Sequence, residues 1–449
     1  MEKTDVLVIG GSAAGLVAAA TGKSYYPDKD FLVIRKDKQA MIPCGIPYVF
    51  GSIENTDKNI LPDALATKTG ARVKIDEVIS IDRAKKICKT KAGAEIQFEK
   101  LVLATGSRPK TPRWLKGANR ENVFTIPKNK EYLDEMTTKL KSCSKVTVVG
   151  AGFIGVEISD ELKKSGKEVT LVEKLPRILS LAFDDEIALN AEEILVSNGI
   201  TLKTGTGIDE ILGNGKVTGV RLTSGELFEA DAVVLSIGYQ PNTDIVKDIG
   251  LNINDLGFIK VDEYMRTDDP DIYAIGDCAE KRNFVTRKTS NVMLASTACA
   301  EARIAGMNLY KLSAVKTFNG TIAIFSTCIG GTGFGAAGLT ESQAISENFD
   351  IVTGTFEGID RHPGTLSDTQ KQSVKLIVAR DSGVILGGEV QGGLSTGELI
   401  NVIGLAIQNR MTINSILTTQ IGTQPLLTAS PAAYPFIKAA EAVALHKVK

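Results

Sequence analysis

At 449 residues the chain has room for two or three domains, each with its own core. Basic and acidic side chains nearly balance, 52 against 53, so the sequence offers no strongly basic surface for a nucleic acid or an anionic membrane. Glycine is abundant, at 43 residues against 14 prolines, which suits many strand-to-helix turns better than disorder.

The first run, residues 6–20, is almost wholly apolar and has the length of a signal-peptide core. Its one basic flank is Lys3, with Glu2 and Asp5 beside it, and glycines interrupt it. It reads instead as a buried strand, Asp5-Val-Leu-Val-Ile, then a turn, Gly10-Gly11-Ser12-Ala13-Ala14-Gly15, then an alanine-rich helix to about Lys23. A second strand, 31–35, ends on Arg35 and is followed by Lys36. Next comes Met41-Ile-Pro43-Cys44-Gly45-Ile-Pro47-Tyr48. Pro47 is tolerated only in the first turn of a helix. A helix starting here puts Cys44 at its N-terminus, where the dipole favours a thiolate and a pKa below that of free cysteine. Residues 101–109, which include Ala104, Thr105 and Gly106, form a buried strand ending in a glycine turn.

From 145 the opening pattern returns: Lys145-Val-Thr-Val-Val-Gly150-Ala-Gly152-Phe153-Ile154-Gly155-Val-Glu157, a helix to about Lys164, and a strand ending on Glu173. Ser236-Ile-Gly238-Tyr-Gln-Pro-Asn242 is like the turn after residue 101, and Ile272-Tyr-Ala-Ile-Gly276-Asp277 is a strand that delivers an aspartate at its end. Toward the C-terminus, 373–379 and 383–390 read as strands and 398–409 as a helix. No run is long enough to span a bilayer, and the expectation is a soluble, cytoplasmic protein.

Six cysteines, at 44, 88, 143, 278, 299 and 328, show no CxxC spacing, which argues against a zinc or iron–sulfur site. His362 and His446 are too few for a histidine metal site. A disulfide framework is not expected without an export signal. Cys44 is read as redox-active and the other five as packing residues.

Each copy of the repeated unit is a strand, a glycine turn, a helix and a second parallel strand. Glycine lets the backbone approach a pyrophosphate, and the helix N-terminus supplies free N–H groups and positive potential. In the second copy the carboxylate of Glu173 accepts from ribose hydroxyls and repels a 2′-phosphate, so NADH is favoured over NADPH. The first copy has Ser12 at the middle glycine position and Arg35 where an acidic residue usually falls.

With these motifs in this order the chain resembles a class I pyridine nucleotide–disulfide oxidoreductase. The resemblance implies an α/β protein with two Rossmann-like dinucleotide-binding domains of the glutathione-reductase kind and a C-terminal α+β dimerisation domain. The implied boundaries are 1–115 and 247–320 for FAD, 116–246 for the nicotinamide nucleotide, and 321–449 for an interface that makes a homodimer. Residues 10–15, Arg35, residues 104–106, Gly276 and Asp277 would serve FAD. Gly150, Gly152, Phe153, Ile154, Gly155, Glu173 and Gly238 would serve NADH.

Cys44 lacks the second cysteine that two-cysteine reductases carry close by. The segment around it is similar to the single-cysteine group, which includes coenzyme A–disulfide reductases, polysulfide reductases, NADH oxidases and NADH peroxidases. Oxidase and peroxidase members commonly have a histidine where Ala13 stands, and the two-cysteine reductases have a catalytic His-Pro where Gln424-Pro425 stands. Tyr434 is a candidate for the tyrosines of coenzyme A–disulfide reductases. Lys23, Arg72 and Lys74 are candidates for coenzyme A's phosphates. The expected function is NADH-dependent, FAD-mediated reduction of a small sulfur substrate, such as coenzyme A disulfide, coenzyme A persulfide or polysulfide, through Cys44. The alternatives are an NADH oxidase, an electron-transfer reductase for a protein such as rubredoxin, and a nucleotide-bound redox sensor.

Overall fold

The structure, a computed structural model, describes residues 1–315 and 317–448. Among these residues three large sheets organise the chain. Glu2–Ile9 runs through the middle of the first, parallel to Phe31–Arg35 on one side and Glu95–Leu103 on the other. Arg72–Ile75 and Ile272–Ala274 extend the parallel part, and the hairpin of Val78–Asp82 and Ile87–Thr90 adds an antiparallel edge. Val6, Leu7 and Val8 are fully buried, as a continuous apolar strand should be when both sheet faces are covered. Val6, Val8 and Val33 pack under the small-residue helices Ala13–Tyr25 and Ala295–Met307, while Leu7, Ile9 and Ile34 face the second layer with Phe98 and Ile259.

The second sheet is wholly parallel, in the order Val123–Thr125, Ala232–Leu235, Lys145–Val149, Glu168–Val172, Thr201–Lys203. Its helix Phe153–Lys164 follows Lys145–Val149 as Ala13–Tyr25 follows Glu2–Ile9, so the duplicated pattern is a duplicated fold. A short antiparallel ribbon, Ser107–Pro109 against Tyr239–Pro241, carries the chain between the two units.

The third sheet is antiparallel: Phe325–Ile329, Thr332–Gly338, Ile385–Gly392, Lys371–Ala379, Ile351–Ile359. The helices Thr396–Gln408 and Pro435–Val448 pack against it around Val374, Leu376, Ile400, Ile403 and Val443. Each such fully buried aliphatic side chain contributes about 1.5–3 kcal/mol. The two strands and the helix expected here are present within two residues of their expected bounds. No helix among the described residues is long and apolar enough to cross a membrane.

Candidate functional site

Three loops leave the carboxyl ends of the first sheet's parallel strands and meet. Gly10 has φ +111°, and a Cβ there would lie 2.0 Å from the Ala104 carbonyl oxygen. A Cβ on Gly15 would lie 1.8 Å from the Gly10 oxygen. Glycine is thus required at the first for backbone conformation and at the second for close packing of helix on turn. An added Cβ on Gly276 would reach Ala14 at 3.1 Å. The fold therefore gathers residues 10–15, 104–106 and 276–277 at one edge. Ser12 stands at the N-cap of Ala13–Tyr25, but its side chain makes no capping bond and the first turn holds no acidic residue. That end is left positive, with donors fit for an anion.

Asp277 Oδ2 accepts from Ser107 Oγ at 2.7 Å and Lys128 Nζ at 2.6 Å. Burial works to raise its pKa, but the charge and hydrogen bond of Lys128, with Ser107, hold it below the usual carboxylate value. Lys128 comes from the second unit, just before the helix Lys130–Leu140, so this pair ties the two units together. Arg35 is turned inward. Its guanidinium pairs with Asp63 and donates to the carbonyls of Asp37 and Lys38, which fastens the end of its strand to the following loop.

The second glycine turn repeats the first. A Cβ on Gly155 would lie 1.8 Å from the Gly150 oxygen. Gly152 differs: it is the N-cap of Phe153–Lys164, makes no side-chain cap, and a Cβ added to it would meet nothing within 4 Å. The protein's own packing does not demand glycine there, whereas close approach of a pyrophosphate does. Glu173 reaches back over this turn, accepting from Ala151 N at 2.6 Å and Leu175 N at 2.8 Å. Phe153 stacks on Phe325 of the third sheet, centroids 4.9 Å apart, while Ile154 is half-buried beside it. Gly238, with φ +93°, lies on the loop after Ala232–Leu235.

Cys44 corrects one expectation. It lies in a three-residue 3₁₀ turn, Pro43–Gly45, followed by a second, Pro47–Phe50. A proline opens each turn and neither grows into an α-helix, so there is no helix dipole to lower the thiol's pKa. The shift runs the other way. Cys44 is exposed, yet the protein packed around it pushes the thiol up, and the charge of Glu157 adds to this while Lys128 opposes it.

Glu157, just after the second glycine turn, has no role that its local sequence suggests. It sits on Phe153–Lys164, is 9% exposed, and accepts from Thr327 Oγ1 at 2.9 Å through Oε1. Burial pushes its pKa up to about 7, against hydrogen bonds from Thr327 and Tyr48 that lower it. The visible signal was a carboxylate between Val156 and Ile158 on the apolar side of a helix. Lys128 gave no signal at all.

The proposed phosphate contacts are also corrected. Arg72 and Lys74 pair with Glu2, and Arg72 also with Asp30, while Lys23 donates to the carbonyls of Pro27 and Lys29. Glu2 and Asp30 mark the amino ends of their strands, the edge opposite the glycine turns. Cys88, Cys143 and Cys278 are buried, as packing residues should be, whereas Cys299 and Cys328 are only half-buried. Gln424 is exposed, and Tyr434 packs in part against its own C-terminal core.

Residues 4–302 match the pyridine nucleotide-disulphide oxidoreductase family, and residues 324–433 match the dimerisation domain of the same family. The chain belongs to this family. An NADH oxidase of Enterococcus faecalis is 31% identical over 94% of this chain and 95% of its own length. An NAD(P)H coenzyme A polysulfide/persulfide reductase of Pyrococcus horikoshii is 30% identical over 87% of this chain and 88% of its own. The solved structure of a NAD-dependent persulfide reductase from A. fulgidus superposes with TM-score 0.90 at 30% identity, over 99% of this chain and 83% of that one. Membership makes the protein an oxidoreductase that uses FAD and NADH. Its residues fit both: two uncapped helix N-termini behind glycine turns, one of them with open space at Gly152.

Proposed function

We propose that this oxidoreductase uses NADH to reduce a small disulfide, persulfide or polysulfide, of the coenzyme A disulfide kind, at Cys44. The observation that carries this reading is Cys44 itself: an exposed, free thiol that feels the charges of Glu157, Lys128 and Asp277, the last two paired with each other from the two units. The polysulfide/persulfide reductase and the persulfide reductase among the relatives support it. The first glycine turn, residues 104–106, Gly276 and Asp277 bind FAD; Arg35 shapes that site by anchoring its loop. Gly150, Gly152, Phe153, Ile154, Gly155, Glu173 and Gly238 bind NADH.

When bound, FAD carries the electron pair from NADH to sulfur. The chain's residues do the rest. Glu173 accepts from the ribose hydroxyls, and the helix N-termini neutralise the pyrophosphates. Cys44 attacks one sulfur of the substrate, forms a mixed disulfide and releases the other sulfur as a thiolate. Two electrons then reduce this bond, so that one disulfide, one NADH and one proton give two thiols and NAD⁺. We place the unit boundaries near 115, 246 and 320, and the homodimer contact in the C-terminal part, which carries the family's dimerisation domain.

A second reading, reduction of oxygen, draws on the 31% identity to the NADH oxidase. Anaerobic stopped flow separates the two. NADH-reduced protein is mixed with coenzyme A disulfide, polysulfide or oxygen, and reoxidation is followed in the visible. Fast reoxidation by a sulfur acceptor supports the sulfur reading; fast reoxidation by oxygen alone refutes it.

A further inference from the structure

Two buried charges hold the turn that carries Asp277. Glu301, on the helix Ala295–Met307, is 0% exposed, and its Oε2 accepts from Gly276 N at 2.6 Å. Lys281 is also buried, and its Nζ donates to the carbonyls of Gly276 at 3.0 Å and Ala279 at 2.9 Å. The two meet each other only loosely. Lys281 Nζ stands 3.7 Å from Glu301 Oε1, an atom with no hydrogen-bond partner among the described residues. Gly276 has φ +71° and lies against Ala14 of the first glycine turn and Ala298 of the helix, so a side chain there would be strained as well as crowded. The peptide groups before and after Gly276 are thus each held by a buried charge, and the second of these peptides leads directly into Asp277.

We infer that Glu301 is a positioning residue for Asp277, with Lys281 as its buried counter-ion and second hold on the same turn: the pair fixes the peptide planes on both sides of Gly276 and so presents the aspartate to FAD already ordered. Burying an ammonium and a carboxylate is costly, and apolar side chains of the same volume often fill such a space with equal or greater stability. What this pair contributes is directional. Three hydrogen bonds run from it to the backbone of Gly276 and Ala279, and bonds to charged groups are the stronger kind. Burial pushes the pKa of Glu301 up to about 7, with the Lys281 charge and the Gly276 N–H opposing it. The bond from Gly276 survives either state, because a carboxyl group accepts whether or not it carries a proton. On the other side of the turn, Ser107 and Lys128 hold Asp277 Oδ2. Backbone and side chain of the aspartate are therefore both fixed by protein groups, and a ligand that meets an ordered site loses less binding free energy to ordering it. This rests on Asp277 binding FAD, and it adds which residues hold Asp277 in place to do so.

The test reads FAD affinity and needs no turnover. Holoenzyme is diluted and the rise of free-flavin fluorescence gives Kd. Two paired variants fill the site without charge. Lys281→Met with Glu301→Gln keeps an acceptor for Gly276 N, and Lys281→Met with Glu301→Met removes it. The methionine pair should raise Kd about 10- to 100-fold over wild type, and the glutamine pair should bind at least about fivefold more tightly than the methionine pair. In an Asp277→Ala background the two pairs should differ by less than about twofold, because a residue that acts through Asp277 has nothing left to position. Equal Kd for the two folded pairs, or a difference that Asp277→Ala leaves unchanged, overturns the inference. Should the methionine pair not fold, hydrogen exchange of wild-type protein stripped of flavin decides. Gly276 and Ala279 amides protected to within about fivefold of the holoenzyme support the inference, and a larger gain of protection on adding FAD overturns it. Asp277→Ala that holds FAD as tightly as wild type sinks the assignment of Asp277 itself; Asp277→Ala that weakens FAD, beside two pairs of equal Kd, sinks this inference alone.

Discussion

Replacing Gly152 with alanine separates a glycine needed for folding from one needed for a ligand. Gly152 has φ −71° and ψ −178°, a conformation alanine adopts without strain, and its Cβ would meet no protein atom within 4 Å. At a helix N-cap alanine is worse than glycine by roughly 1 kcal/mol, while the stiffer unfolded chain returns about 0.4–1 kcal/mol. The net change in stability should be within about 0.5 kcal/mol, near the limit of a thermal melt. Nucleotide binding should respond differently. The added methyl takes the space through which a pyrophosphate oxygen reaches the backbone N–H groups. Losing one such charge-assisted bond costs about 1.5–3 kcal/mol, or about 10- to 100-fold in Kd. The assay is the dependence of the anaerobic flavin-reduction rate on NADH concentration, beside a melt followed by circular dichroism. Gly155→Ala is the contrast: its Cβ would sit 1.8 Å from the Gly150 oxygen, so stability and binding should fall together. Wild-type NADH affinity in a stable Gly152→Ala protein would refute the assignment of this turn to the nucleotide.

Cys44→Ser should leave flavin reduction by NADH intact and lower turnover with coenzyme A disulfide or polysulfide by at least about 100-fold, since the attacking sulfur is gone; steady-state and half-reaction kinetics read the two separately, and full sulfur turnover would make Cys44 a packing residue. Glu173→Ala should narrow a preference for NADH over NADPH of roughly tenfold, read from kcat/KM for both nucleotides; equal values in the wild type would sink this. Glu389 is buried beside Asp184 and Lys375, and burial, then the Asp184 charge, pushes its pKa up to about 8 against the attraction of Lys375. A raised carboxyl pKa gives stability that is fully present below the unfolded value of about 4.5 and lost as pH rises through about 8. Tm should therefore fall between pH 6 and pH 9 in the wild type and fall less in Glu389→Gln; equal pH dependence in the two would show that this group does not titrate.

The sequence by itself determined the parts whose conformation depends on close neighbours in the chain. Asp5-Val-Leu-Val-Ile before Gly10, and its repeat before Gly150, dictate a strand, a turn and a helix, because backbone dihedrals answer to residues a few positions away. Asp277 was legible for the same reason, standing at the end of an apolar strand. The strand Thr332–Gly338 was not: five of its seven residues are glycine or alanine at positions that only packing explains, such as Gly335, whose Cβ would meet Ile400 at 2.8 Å. Around Cys44 the limit is sharper. Pro47 suits a helix start, but whether a turn propagates depends on what it packs against, here the helix Phe153–Lys164 more than a hundred residues on. The pairing of Arg35 with Asp63, which fastens the end of its strand, has no trace in the local sequence. Glu157 is cut off from solvent, and its pKa raised, only where Thr327 of a distant strand closes over it. Tertiary structure alone decided these, because burial and charge are set by which distant segments meet, and no local pattern records the meeting.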